Sequence, residues 1–145
     1  MPPLPHPDTL PCSPLAETDG LMYFPRMTGK IRLEAAGLLW SELQENLRKG
    51  SDARCCGFLH VEYDKLKSRT LAGGSDIEIL AWCQDHGRPL NETDRLVWNA
   101  YYSKLGWNDQ TTPMLDRRKE ESGLTERGDI QTMGHYIDVD EGRCP

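Results

Sequence analysis

The 145-residue sequence predicts a single all-α domain of about six or seven short helices behind a proline-rich arm. Three observations lead there. Apolar residues recur at three- and four-residue steps in segment after segment. Most of these segments are bounded by a capping residue, a glycine, or both. No stretch alternates with a period of two for long enough to make a secure strand. The length suits one domain of roughly 100–200 residues. Eleven aromatics, four of them Trp, supply large side chains to bury within an otherwise polar composition.

The elements follow in order. Met1–Ala16 hold six of the ten prolines, including the weak PxxP match Pro2–Pro5. Proline lacks a backbone donor and fixes φ, so residues 1–17 read as an extended arm; a loose terminus is the plain expectation, docking on the domain or service as a proline-rich ligand the alternatives. The domain then occupies 18–145. Met27, Ile31 and Ala35 align in a helix over about Met27–Ala36, ended by Gly37. Ser41 and Gln44 open a short helix that Gly50 closes. Phe58 and Leu59 mark a short extended piece over Gly57–Val61. A helix over about Tyr63–Ala72 ends at Gly73-Gly74. Ser75 and Glu78 form a capping-box pattern. They open a helix with Ile77, Leu80 and Ala81 on one face, Trp82, Ile79 and Cys83 widening the apolar arc so that the helix is expected to be central, and Gly87 as a left-handed terminator. The next helix starts after Asn91, carries Val97, Tyr101 and Leu105 at four-residue steps with Leu96–Ala100 and Trp98–Tyr102 as neighbouring stripes, and stops at Gly106. Thr112-Pro113 starts another with proline in the first turn, closed by Gly123. Asp129 caps a last helix over Ile130–Ile137. The four Trp residues are expected in the core.

Charge and cysteine usage narrow the function classes. Seventeen Lys and Arg against 23 Asp and Glu leave −6, which argues against non-specific binding to nucleic acid or to an anionic membrane. No run approaches the ~20 apolar residues of a membrane span. The N-terminus has no basic n-region and no apolar h-region, so no signal peptide is expected. Five irregularly spaced cysteines are not a disulfide framework; reduced thiols in a cytoplasm are the simpler reading.

Several stretches together carry a family resemblance. They are Tyr23-Phe24-Pro25-Arg26-Met27 with Lys30-Ile31-Arg32, Asp52-Ala53-Arg54-Cys55-Cys56-Gly57-Phe58-Leu59, the run from Gly73 to Trp82, and Val97-Trp98-Asn99. In this order they resemble a bacterial family known as domain of unknown function 5069, over Leu21–Gly106 and onward to Arg143. The resemblance implies a small, mostly helical, soluble bacterial protein. It implies no activity, cofactor or catalytic residue. The family pattern often carries apolar residues where this chain has Cys55-Cys56, which speaks against a shared thiol or metal function.

The most informative cluster is Arg26, Lys30 and Arg32, three cations with no acid between Met22 and Leu33 in an acidic chain. Arg26 and Lys30 share a helical face, Arg32 lies off it, and Arg54 follows later. Guanidinium groups grip carboxylates and phosphates bidentately and lysine adds a point charge. These four residues are therefore a candidate site for a small anionic ligand; pairing with the chain's own acids is the plainer alternative. Cys55 and Cys56 form a vicinal pair. Arg54 beside it would favour a thiolate, whereas buried, inert thiols are the simpler expectation. Cys83 and His86 lack the paired Cys-x-x-Cys arms of a strong zinc site, and no metal or cofactor is expected. No phosphate loop, dinucleotide fingerprint, nucleophile elbow or zinc-protease motif is present. The leading expectation is a non-catalytic binding or interaction module whose partner is a small anion or an unknown protein. An enzyme with a non-standard site near the same cations, and a structural protein–protein domain, are the alternatives.

Overall fold

The computed structural model describes residues 4–145; Met1, Pro2 and Pro3 of the arm, and the PxxP match with them, lie outside. Among the described residues the helices are α1 Phe24–Ala35, α2 Ser41–Gln44, α3 Ser51–Leu59, α4 Tyr63–Leu71, α5 Asp76–His86, α6 Glu92–Ser103, α7 Thr112–Glu121 and α8 Met133–Asp140. Seven have eight residues or more, and α2 has four. The all-α expectation holds, with one small addition. Glu17–Thr18 (β1) and Leu21–Met22 (β2) pair antiparallel across Asp19 and Gly20, both with positive φ. That is the backbone of a tight two-residue hairpin turn.

Helix α1 runs through the middle of the main core, burying Phe24, Met27 and Ile31 against α4, α5 and the hairpin. Pro25 in the first turn suits its start, three residues earlier than the periodicity marks. Tyr23 precedes it in the left-handed region at φ 75°, a strained place for a bulky residue. Its side chain is buried and hydrogen-bonded, and its N–H donates to Ala16 O, which together hold the conformation. Helix α6 holds the hairpin: Trp98 Nε1 donates to Met22 O at 2.9 Å, and Asn99 bridges Met22 N and Gly20 O. A second, smaller core joins α7 and α8 through Leu115, Ile130 and Tyr136. Met133 packs against both cores, and its N–H donates to Leu105 O at 2.8 Å.

Several local expectations are corrected. Gly57–Val61 is not extended: Gly57, Phe58 and Leu59 are the last turn of α3, ended by His60 in the left-handed region. The apolar run around Cys55 is one face of that helix. The short helix from Ser41 ends at Gln44 and gives way to turns before Gly50. Helix α8 starts at Met133, where Thr132 Oγ1 accepts from His135 N; Asp129 instead pairs with Arg127. On α6 the buried residues are Trp98 and Tyr102, while Val97 and Tyr101 face outward; on α5 Ile77 is exposed. Trp107 is also exposed. Gly87 does end α5, but with φ −134°, so chirality is not the reason. A Cβ there would stand 2.2 Å from Leu59 O. Only glycine lets the chain pass that carbonyl. The two predicted capping starts, Ser75 for α5 and Asn91 for α6, are present, and both make reciprocal boxes.

The arm docks on the domain rather than hanging loose, and it is not extended throughout: Pro7–Thr9 form one 3-10 turn, with His6 Nδ1 accepting from Asp8 N. Pro11 and Pro14 are buried. Arg143 donates to Pro11 O, Arg26 to Cys12 O, and Ser13 Oγ to Asp138 Oδ2. Between α1, the α2–α3 segment and the α7–α8 pair lies a cleft.

Candidate functional site

Two of the four predicted anion-binding residues lie on the floor of this cleft, and both are already paired. Arg26 is buried and meets Glu141 bidentately, Nη1–Oε1 2.9 Å and Nη2–Oε2 2.7 Å. Arg143 adds a 2.6 Å bond to Glu141 Oε1. Burial works against the Arg26 charge, but the Glu141 hydrogen bonds and charge outweigh it and hold its pKa above the ordinary value. Lys30 Nζ sits 2.8 Å from Asp52 Oδ1 and donates to Tyr23 OH at 2.8 Å. Tyr23 OH donates in turn to Asp52 Oδ1 at 2.5 Å, and Arg48 N–H binds Asp52 Oδ2. Burial pulls the Lys30 pKa down, and the Asp52 charge offsets this only in part. Burial, then the Asp52 charge, push the Tyr23 hydroxyl well up.

Arg32 and Arg54 stand apart from this arrangement. Arg32 pairs with Asp76 at 2.8 Å on the surface and does not line the cleft. Arg54 is exposed, lines the cleft, and makes no ion pair among the described residues. Two further cations join it that are not among the expected anion ligands. Lys49, just ahead of α3, is also exposed and without an ion pair among the described residues. Arg118 of α7 reaches the cleft from the opposite core, and its Nε is buried without a hydrogen-bond partner. The run Arg117 to Glu121 reads as a solvated face, and for Arg117, paired with Glu121, that is true. Arg118, however, lies three residues after the buried Leu115 and so shares its face. That spacing was the available signal.

The cleft holds about 280 Å³, at the small end of ligand pockets (~300–1,000 Å³). Tyr102, Leu105, Met133 and Ile137 give it apolar walls, and Glu42 and Asp140 add carboxylates. Burial, then the charges of Glu42 and Glu141, raise the Asp140 pKa. A wider hollow of about 610 Å³ lies along α4 and α5 beside Trp82. Its charges are internally engaged: Asp64 with Arg48, Glu62 with Lys65, and Arg69 with Gly73 O. The cleft is therefore the better candidate.

Cys55 and Cys56 do not line it. Both are buried in the main core, and Cys56 Sγ lies 3.9 Å from Met27 Sδ. Burial, then the neighbouring thiol of Cys56, push the Cys55 thiol well up; burial, then Asp52, push Cys56 up to about 12. Arg54 next in sequence points elsewhere and does not activate them. Cys83 is buried too, and His86 stacks on Trp82. Among the described residues no three His, Cys, Asp or Glu side chains gather as a metal set. Nor is any helix long and apolar enough to cross a membrane.

The family model for a domain of unknown function (DUF5069) matches residues 8–143. The chain belongs to that family, and the match takes in the docked arm, both cores and the cleft between them. No curated protein matches the chain in sequence.

Proposed function

We propose that the protein is a small, non-catalytic binding module that holds an anionic ligand in the cleft, gripped by Arg54, Lys49 and Arg118 over a floor of Arg26 and Lys30. The carrying observation is the convergence, on one concave site of an acidic chain, of three cations that make no ion pair among the described residues. Walls of low polarity strengthen the charge recognition. The floor cations, neutralised by Glu141 and Asp52, shape the site rather than supply its free charge. A cytoplasmic setting goes with this reading, since all five cysteines are free thiols.

Thermal unfolding with inorganic phosphate and citrate, against chloride at equal ionic strength, tests it. The expected result is a stabilisation by the polyanions that disappears in Arg54→Glu/Arg118→Gln. A stabilisation that persists in this double variant would exclude the cleft as its origin.

An enzymatic reading has one observation in its favour, the hydrogen-bonded group of Tyr23, Lys30 and Asp52 on the floor. Turnover in a metabolite screen that is lost in Tyr23→Phe would favour it over a binding role.

A further inference from the structure

The charges of the cleft divide into two sets once the internal pairs are set aside. Arg26 is matched by Glu141 and Lys30 by Asp52. What remains is Lys49, Arg54 and Arg118 on one side of the account, and Glu42 and Asp140 on the other. None of these five makes an ion pair within 4 Å among the described residues. The two carboxylates come from different elements, α2 and α8, and the field of Glu42 acts unfavourably on Asp140, offset only in part by a Ser122 hydrogen bond and the charge of Arg118. A bound simple anion would leave that repulsion in place and add to it. A bound simple cation would leave the Arg54, Lys49 and Arg118 donors unanswered. A ligand carrying both charges relieves both.

We propose that the ligand is a small zwitterion, an ammonium and an oxyanion on one short skeleton. Its oxyanion faces Lys49, Arg54 and the Arg118 guanidinium, and its ammonium sits between Glu42 and Asp140. The inference rests on the anion-binding reading of the same cleft. The cavity of about 280 Å³ limits the skeleton to a small one. Tyr102, Leu105, Met133 and Ile137 cover its methylenes. Carboxylate and phosphate answer equally to guanidinium donors. The class therefore includes amino acids and amino-alcohol phosphates.

Two matched pairs of probes separate these points by calorimetry on the full chain: L-glutamate against glutarate, and phosphoethanolamine against ethyl phosphate. Within at least one pair, the zwitterion is expected to bind about tenfold or more tightly than its partner without the amine, the worth of a charged hydrogen bond. Which pair shows the larger preference identifies the oxyanion. Glu42→Gln/Asp140→Asn should equalise the members of that pair. Arg54→Gln/Arg118→Gln should weaken both, with circular dichroism confirming the fold of each variant. If the amine-free probes bind as well as the zwitterions, the inference fails and the anion reading stands. If none of the four binds, both fall. If zwitterion binding is unchanged in both double variants, the site lies elsewhere and both fall.

Discussion

Arg26 and Arg54 carry the same guanidinium and line the same cleft, yet the fold uses them in opposite ways. Arg26 is 3% exposed and locked to Glu141, a residue 115 positions away. Arg54 is exposed one turn into α3 and makes no ion pair among the described residues. Lys30 and Lys49 repeat the contrast, one buried on Asp52 and the other open at the mouth. The difference lies in the partner, not in the residue. A buried cation needs a matched carboxylate, because the desolvation of either charge alone costs several kcal/mol. A cation at the rim costs little and keeps its hydrogen-bonding capacity for something else. The floor of the cleft thus belongs to the architecture, and its rim is available for binding.

The sharpest way to break this contrast is Asp52→Ala. It leaves Lys30 buried with only Tyr23 OH, and removes the acceptor of Arg48 N–H. A loss of about 3–5 kcal/mol in urea unfolding is expected, as for any buried pair cut on one side. Adding Lys30→Met should recover part of it, since the stranded charge goes with it. A loss under 1 kcal/mol for Asp52→Ala would show that the floor pair is not structural. Glu141→Ala comes next. Arg26 keeps the Cys12 carbonyl, so the loss should fall at or below the lower end of that range. Glu141 also anchors Arg143, which in turn holds Pro11 O. The variant should therefore speed proteolysis within the arm near Cys12, and an unchanged cleavage rate would refute that link.

Much of the fold was legible because local chemistry decides it. Ser75 and Asn91 cap where their side chains predict, and Pro113 starts α7. The hairpin was legible in principle, since Asp19-Gly20 is a favoured pair for its turn, but two-residue strands show no alternation. Helix α3 was hidden because Gly57 and two cysteines weaken its pattern, and its start at Gly50 has no side-chain cap. On α6 two apolar stripes compete. Trp98 wins burial over Val97 because its indole N–H finds Met22 O in the hairpin, a partner distant in sequence. The site divides in the same way. Arg26, Lys30 and Arg54 do share a cleft, as their charges suggested. Which of them is free depends on Glu141 and Asp52, and long-range pairing has no local sequence signal. Arg118 was legible from Leu115 by helical spacing alone.

Asp140 gives the contrast a smaller and opposite effect. Burial and the neighbouring carboxylates of Glu42 and Glu141 raise its folded pKa above the unfolded value. A carboxyl shifted upward holds its proton more tightly in the folded state. It therefore subtracts nothing below the unfolded pKa of ~3.9, and subtracts increasingly as pH rises through the folded value. Asp140→Asn should thus stabilise the protein at pH 7, by on the order of 0.5–1 kcal/mol because half-exposure screens the repulsion. The gain should shrink towards pH 4. An equal gain at both pH values would mean that packing, not charge, causes it.

Arg54→Ala carries the smallest effect on stability and the most information about the rim. An exposed side chain without a partner contributes within about 0.5 kcal/mol, so its unfolding curve should overlay that of the wild type. The same substitution should sharply reduce the stabilisation by phosphate or citrate, because it removes one of three free donors while leaving the floor intact. The two readouts separate the classes of cation. A floor residue changes the fold first and binding as a consequence; a rim residue changes binding alone. If Arg54→Ala instead unfolds the protein as readily as Asp52→Ala, Arg54 belongs with Arg26 and the cleft has lost its free charge. If it leaves both stability and anion response unchanged, Lys49 and Arg118 carry the rim without it. Arg118→Gln, tested in the same way, then decides whether the Arg118 guanidinium is the donor that matters.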